Sequence, residues 1–178
     1  MSYSLIIPIY NEVKTLPILF KQLKTLESIN EIILVDDGST DGSRNILSTY
    51  CDRNEIILIK NKFNVGKGFS IKKGLEIASG TNIILGDADL EINLEYIPRL
   101  IKAHKLITNE PKENNVLVGV RKSKKSKGSL TLLHLGNKLI NFIFNLIYRS
   151  DFEDILCCLK IINKHQITDF NLSSKGFE

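Results

Sequence analysis

No apolar run in this chain approaches the roughly 18–20 residues that a membrane-spanning helix needs. The longest runs, such as Ile32–Val35 and Ile56–Ile59, are strand-sized. The chain does not open on a basic region followed by an apolar stretch and a small-residue cleavage site, so no export signal is expected. Only three cysteines occur, Cys51, Cys157 and Cys158, and two of them are adjacent. An odd number without C-x-x-C spacing argues against a disulfide framework or a zinc site and predicts reduced thiols in the cytosol. The three histidines, His104, His134 and His165, lie far apart, with no spacing that suits a shared metal. No Gly-x-Gly-x-x-Gly stretch is present, and no arrangement points to a nucleophilic cysteine or a serine triad.

What remains is ordinary globular material. Of 178 residues, 43% are hydrophobic and 25% charged, which suits one domain. The net charge is only +4, but Arg121, Lys122, Lys124, Lys125 and Lys127 put five cations into seven residues. One such cluster, without a broad basic surface or interleaved stacking aromatics, predicts no nucleic-acid partner.

A repeated unit of apolar strand, polar turn and amphipathic helix organises the first half. Strands are expected at Ser4–Ile9, Glu31–Val35, Glu55–Ile59, Asn82–Leu85 and Asn115–Val120. Helices are expected near 13–26, after Asp41, over Gly66–Ser79 closed by Gly80, and over Leu94–Leu106. Asp41 or Thr40 is the expected N-cap of the second helix. Strands apolar throughout and separated by helices predict an α/β fold with a mostly parallel sheet covered on both faces. Ligands in such sheets lie beyond the carboxyl ends of the strands. Polar clusters follow Ile9, Val35, Leu85 and Val120, so these strand ends are expected to converge on one crevice.

The last third opens with the basic run and continues into an amphipathic helix over Leu135–Tyr148. Leu135, Leu139, Phe142, Ile143, Leu146 and Ile147 share one face, with Asn137, Asn141, Asn145 and Arg149 on the other. The apolar face either packs on the sheet or rests on a bilayer interface. A further buried strand is expected at Cys157–Ile162.

The sharpest chemical feature is Asp87-Ala88-Asp89-Leu90-Glu91 at a strand end. In an extended segment, alternate acids point the same way. Three carboxylates so placed favour a hard cation, Mg²⁺ or Mn²⁺, which would bridge diphosphate oxygens. A solvated acidic turn capping the next helix is the competing explanation. In Val35-Asp36-Asp37-Gly38-Ser39-Thr40-Asp41-Gly42, Asp37 is the candidate for binding a base or ribose, with Asp41 left as a helix cap. Pro8-Ile9-Tyr10-Asn11-Glu12 brings an aromatic ring and an acid to the first strand end, although Tyr10 could also be a packing residue of the turn. Asn64-Val65-Gly66-Lys67-Gly68 leads into a helix N-terminus that suits phosphate, with Lys67 adding charge. It is not a Walker A loop, since the leading glycine and the hydroxyl after lysine are missing.

Taken in order, these motifs resemble the family 2 glycosyltransferases of GT-A fold, and among them the dolichyl- and polyprenyl-phosphate sugar synthases and their bacterial relatives. Gly119-Val120-Arg121, Leu135-Gly136-Asn137-Lys138 and the stretch from Asp154 to Lys160 continue the resemblance. It implies that Pro8, Tyr10, Glu12, Val35 and Asp37 hold the base and ribose of a nucleotide-sugar, with Lys67 and Ala88 also on the donor. It implies a D-x-D pair in Asp87 and Asp89, with Glu91 completing a Mg²⁺ or Mn²⁺ site and Arg121 on phosphate. Leu156 and Leu159 depart from the pattern, which has a small polar or acidic residue and an aromatic there. The chain stops at Gly176-Phe177-Glu178 where relatives continue, so residues 1–178 are expected to be a catalytic domain truncated at its C-terminus.

No Q-x-x-R-W-like stretch of the kind carried by relatives acting on sugar hydroxyls is present. A phosphate monoester acceptor is already anionic and needs no base. The expected activity is therefore inverting transfer to a polyprenyl phosphate, at the cytoplasmic face of the membrane. Transfer to a saccharide hydroxyl and an inactive nucleotide-sugar-binding homologue are the alternatives.

Overall fold

The computed structural model describes residues 1–54, 56–107, 116–120 and 132–168, with backbone alone for 132–134 and 168. A six-stranded sheet has the order β3-β2-β1-β4-β6-β5, built from β1 (Tyr3–Ile9), β2 (Glu31–Asp36), β3 (Ile57–Lys60), β4 (Asn82–Leu85), β5 (Leu117–Val118) and β6 (Lys160–Asn163). β1 pairs parallel with both β2 and β4, and β2 with β3. β6 runs antiparallel between β4 and β5, so β5 points the same way as β4. All strands but β6 thus end at one edge. The chain grows outward from β1 through β2 to β3, then returns to place β4 on the other side of β1. That reversal opens a crevice between the carboxyl ends of β1 and β4, where sheets of this kind take their ligands.

Both faces of the sheet are covered, which is why its strands are apolar without alternation. On one side Leu5, Ile7, Ile9, Leu34 and Ile84 pack against Leu16, Leu19, Leu47, Ile97 and Ile101. These come from α1 (Leu16–Leu23), α2 (Ser43–Asn54) and α4 (Ile97–Ile107), the last preceded by a 3-10 turn at Leu94–Tyr96. On the other side Ile6, Ile33, Val35 and Ile83 meet Leu75, Ala78 and Ile167 of α3 (Lys67–Ile77), its C-cap and α6 (Lys164–Thr168). Gly74 lets α3 sit close on β1, because a Cβ there would stand 2.6 Å from Ile6 Cγ2.

Several boundaries differ from expectation. α1 begins at Leu16, since Pro17 fits only in a first helical turn and residues 13–15 form a turn instead. α3 is capped at Ala78 and not at Gly80, whose amide instead donates to Ser4 Oγ at 2.9 Å. β6 begins at Lys160, three residues later than expected, and β5 is only Leu117–Val118. Asn115 and Glu55, expected to open strands, lie outside the described residues. α5 (Leu132–Tyr148) forms as expected, but Leu135, Leu139, Phe142, Ile143, Leu146 and Ile147 are all exposed. The option that this face packs on the sheet is thereby removed.

Candidate active site

Two structural corners meet at the crevice. The first is a shelf at the ends of β2 and β3. Asp36 is fully buried, accepting from the Ser39 amide at 3.0 Å and from Arg44 Nε at 2.5 Å. Arg44 also donates to the Asn61 carbonyl. Asp37 is equally committed: Oδ1 accepts from Asn61 Nδ2 at 2.8 Å and from the Val65 amide at 3.0 Å, and Oδ2 from the Gly66 amide at 2.9 Å. Asn61 is held in turn by Lys73 Nζ at 2.8 Å and by Ser70 Oγ at 2.9 Å. The loop from Asn61 to Gly66 can close on Asp37 only because residue 38 is glycine. Its φ is +76°, and a Cβ would fall 2.3 Å from the Phe63 carbonyl carbon.

Asp41 accepts from the Ser43 amide at 2.9 Å at the start of α2 and from the Val13 amide at 3.0 Å. It therefore satisfies the first amide of α2 from one residue before the N-cap position, where Gly42 stands and not the expected Asp41 or Thr40, and also ties down the loop after β1. Burial pushes its carboxyl up, but the hydrogen bonds from Ser43 and Val13 together outweigh this and hold it below the ordinary value.

The second corner is acidic. Glu12, after β1, has its side chain bonded by Thr15 Oγ1 at 2.6 Å and its amide donating to Ser43 Oγ at 3.0 Å. Across the crevice, Asp87 Oδ1 carries the Lys67 ammonium at 2.5 Å, with both side chains partly buried. Asp89 titrates above the ordinary carboxyl value, mainly through burial and further through the nearby charges of Asp87, Glu91 and Glu12. The Glu91 amide, donating to Asp89 Oδ1 at 2.9 Å, opposes that shift. Four carboxylates from two strand ends therefore share one field. The segment after Asp89 is pinned by buried Gln22, whose Oε1 accepts from the Leu94 amide at 3.0 Å.

The alternation that was to align Asp87, Asp89 and Glu91 is not present. The chain leaves β4 at Leu85 and bends, Leu90 has a φ of +63°, and Glu91 is exposed. Among the described residues no group of three or more histidine, cysteine, aspartate or glutamate side chains could hold a metal ion alone. The three-carboxylate cage is thus corrected. What remains still fits a small hard cation: the donors are all carboxylate oxygens, and Lys67 shows that the corner already draws a positive charge. Mg²⁺ commonly uses one or two carboxylates and takes its other ligands from substrate phosphate and water.

The other anticipated residues divide by exposure. Tyr10 is exposed at the mouth, whereas Pro8, Val35 and Ala88 are buried. Pro8 and Val35 face each other in the register of β1 and β2 and offer no side-chain surface to a ligand. Arg121 and Lys122, Lys124, Lys125 and Lys127 lie outside the described residues. Cys158, assigned to strand packing, instead stands beside the site, brought near Asp87 by the antiparallel register of β4 and β6 that pairs Leu85 with Lys160. Burial first, and then the Asp87 charge, push that thiol up to about 12. No local pattern announced this placement, because it arises from β6 pairing beside β4. Asn61 was more legible, since it follows a strand end as the other site residues do.

Comparisons with known proteins agree with this architecture. A family model described as glycosyl transferase family 2 matches residues 4–165. Undecaprenyl-phosphate 4-deoxy-4-formamido-L-arabinose transferase from Photorhabdus laumondii is 33% identical over 168 residues, covering 91% of this chain and 49% of the relative. The protein of the same name from Proteus mirabilis is 32% identical over 170 residues, covering 92% of this chain and 49% of the relative. The chain therefore spans about half the length of these relatives. Glucosyl-3-phosphoglycerate synthase from Mycobacterium tuberculosis, crystallised with Mn²⁺, uridine diphosphate and glucosyl-3-phosphoglycerate, superposes with a TM-score of 0.70 at 18% identity, covering 94% of this chain and 58% of that one. S. aureus TarS superposes with a TM-score of 0.62 at 24% identity, covering 95% of this chain and 49% of that one. The sheet order, the crevice and its acids, and a family match that runs nearly end to end lead to one assignment: the chain has the GT-A fold and belongs to glycosyl transferase family 2.

Proposed function

We propose that residues 1–178 form the donor-binding catalytic domain of a metal-dependent glycosyltransferase that transfers a sugar from a nucleoside-diphosphate-sugar to a polyprenyl phosphate, with inversion. The observation that carries this is the meeting of Glu12, Asp87 and Asp89 with Lys67 at the point where strand order reverses. An acidic corner of this kind repels a diphosphate unless a cation stands between them. The relatives' names, which specify undecaprenyl phosphate, support the acceptor class. The Mn²⁺ and uridine diphosphate bound by the mycobacterial synthase support a metal-assisted nucleotide site.

In this reading the Asp37 shelf and exposed Tyr10 would receive the base and ribose, and Asp87 and Asp89 would hold Mg²⁺ or Mn²⁺. A bound ion would supply charge neutralisation to the departing nucleoside diphosphate. Lys67 sits at the N-terminus of α3, where its ammonium can move from Asp87 to a phosphate oxygen. Arg121 is assigned to phosphate as well. The anionic acceptor oxygen forms a bond to the sugar's anomeric carbon as the bond from that carbon to the diphosphate breaks. Since the phosphate oxygen carries no proton to remove, no side chain is required as base. The exposed apolar face of α5 would bring the site to the lipid at the cytoplasmic face of the membrane. No helix among the described residues is long and apolar enough to cross it.

Radiolabelled nucleotide-sugars offered with either polyprenyl phosphate or the corresponding polyprenol test the proposal. Transfer to the phosphate alone is expected. Transfer to saccharide hydroxyls, with none to the lipid phosphate, would move the chain to polysaccharide synthesis. Donor binding without any turnover would leave a nucleotide-sugar-binding homologue.

A further inference from the structure

Helix α5 turns its polar residues inward. Phe142 and Leu146 are 64% and 69% exposed, while Asn141 and Asn145, one turn apart, are half-buried. Both asparagines grip a single stretch of chain. Asn141 Nδ2 donates to the Glu153 carbonyl at 2.6 Å, and its Oδ1 accepts from the Ile155 amide at 2.9 Å. Asn145 Nδ2 donates to the Phe152 carbonyl at 2.9 Å, and its Oδ1 accepts from the Phe152 amide at 3.0 Å and from Ser150 Oγ at 2.9 Å. Each side-chain amide offers the backbone a donor and an acceptor, as a neighbouring strand would. Phe144 adds an edge contact to Phe152, with ring centroids 6.0 Å apart.

The gripped segment has no regular secondary structure. Its backbone polar groups therefore depend on such partners for their position. It leads directly to buried Cys157 and then to Cys158, which the pairing of Leu85 with Lys160 in β4 and β6 brings beside Asp87. From Ile155 to Cys158 is three residues, a reach of about 10 Å at most. The shelf around Asp37 and the Asn61–Gly66 loop makes none of these contacts.

We propose that Asn141 and Asn145 are positioning residues for the acceptor side of the transfer site. They hold 150–155 so that the wall ending in Cys158 stays beside Asp87, and they join that wall to the helix whose other face is open to lipid. The inference rests on the proposed transfer to a lipid phosphate. Their loss should lower turnover far more than it weakens donor binding, because displacing a reacting group by about 1 Å can cost on the order of 100-fold in rate.

The experiment measures kcat and KM for donor and for undecaprenyl phosphate in Asn141→Ala, Asn145→Ala and Asn145→Asp. Hydrogen exchange over 150–158 is followed in the same proteins. The alanine variants should lose at least about tenfold in kcat, with donor KM within about twofold of wild type. Asn145→Asp retains the oxygen that accepts from Phe152 and Ser150, and should fall between Asn145→Ala and wild type. Exchange should quicken at Phe152 and Ile155. Exchange quickening throughout the chain and not only over 150–158 would mean general loss of structure, donor KM rising in step with the fall in kcat would mean a damaged donor site, and unchanged kcat would mean no positioning role; any of these overturns the proposal. Should the wild-type protein use a saccharide hydroxyl instead, the acceptor reading falls and the same kcat test on that acceptor judges the two asparagines. A wild type that binds donor but transfers to neither overturns both.

Discussion

Asp37→Asn isolates the shelf that the donor is proposed to use. The wild-type carboxylate is 3% exposed and accepts from Asn61, Val65 and Gly66, using both oxygens. An asparagine has only one accepting oxygen, so its amino group must face either the Gly66 amide or the Val65–Asn61 pair, setting donor against donor. A hydrogen bond to a charged group contributes about 1.5–3 kcal/mol, and a buried donor left unmatched costs about 1–3 kcal/mol. These terms overlap, and a combined loss of about 3 kcal/mol is expected, out of roughly 5–15 kcal/mol for a whole domain. For a domain of this size that corresponds to a fall in Tm of roughly 6–12 °C. Urea unfolding followed by circular dichroism gives the loss directly, provided the slope m matches wild type. Asp41→Asn, at an exposed helix start where asparagine serves about as well as aspartate, should lose less than about 1 kcal/mol. A loss below about 1 kcal/mol in Asp37→Asn would refute the view that this carboxylate organises the Asn61–Gly66 loop.

Other expectations follow from separate parts of the molecule. Burial lowers the His104 pKa below 6.5, and Tyr3 Oη lies 3.2 Å from its Nδ1. The unfolded chain then takes up this proton first, so stability should be full above about pH 6.5 and fall as pH drops toward the folded pKa. Urea midpoints of wild type should therefore fall more steeply between about pH 7 and 5 than those of His104→Asn, and equal slopes would contradict the assignment. Phe142→Ser with Leu146→Ser should abolish salt-sensitive sedimentation with anionic vesicles while the circular dichroism spectrum is kept. Loss of the fold instead would place this face in a core. Leu5→Ala, at a fully buried site in the central strand, should cost about 2–5 kcal/mol without changing the slope m.

The fold was legible where periodicity and strand chemistry are local. β1, β2 and β4 lie within a residue or so of the expected spans because both sheet faces are covered and the strands read as unbroken apolar runs. The role of Asp41 at the start of α2 was legible for the same reason, as a short-range turn interaction, although Gly42 takes the N-cap position itself. The acidic corner was read correctly as a strand-end cluster but with the wrong geometry. Alternation would have held in an extended segment, yet Leu90 takes a left-handed φ and the Glu91 amide folds back onto Asp89. Nor could the sequence assign the faces of α5. An apolar stripe ordinarily means a buried stripe, and only the contacts of Asn141 and Asn145 with 150–155 reveal that the polar side is the docked one. Cys158 is the extreme case, since its place beside Asp87 depends on a pairing of Leu85 with Lys160, about 75 residues apart.

The crevice is proposed to bind a nucleoside diphosphate through a divalent ion held by Asp87 and Asp89. The most direct measurement is the thermal shift produced by uridine and guanosine diphosphates in Mn²⁺, set against the same nucleotides in excess EDTA. At a nucleotide concentration about 100 times Kd, binding should stabilise the protein by about 2.7 kcal/mol. That shift should appear only with the metal, and Asp89→Asn should weaken it far more than Asp41→Asn. Equal stabilisation in EDTA, or an undiminished metal-dependent shift in Asp89→Asn, would contradict a metal-bridged nucleotide site at Asp87 and Asp89.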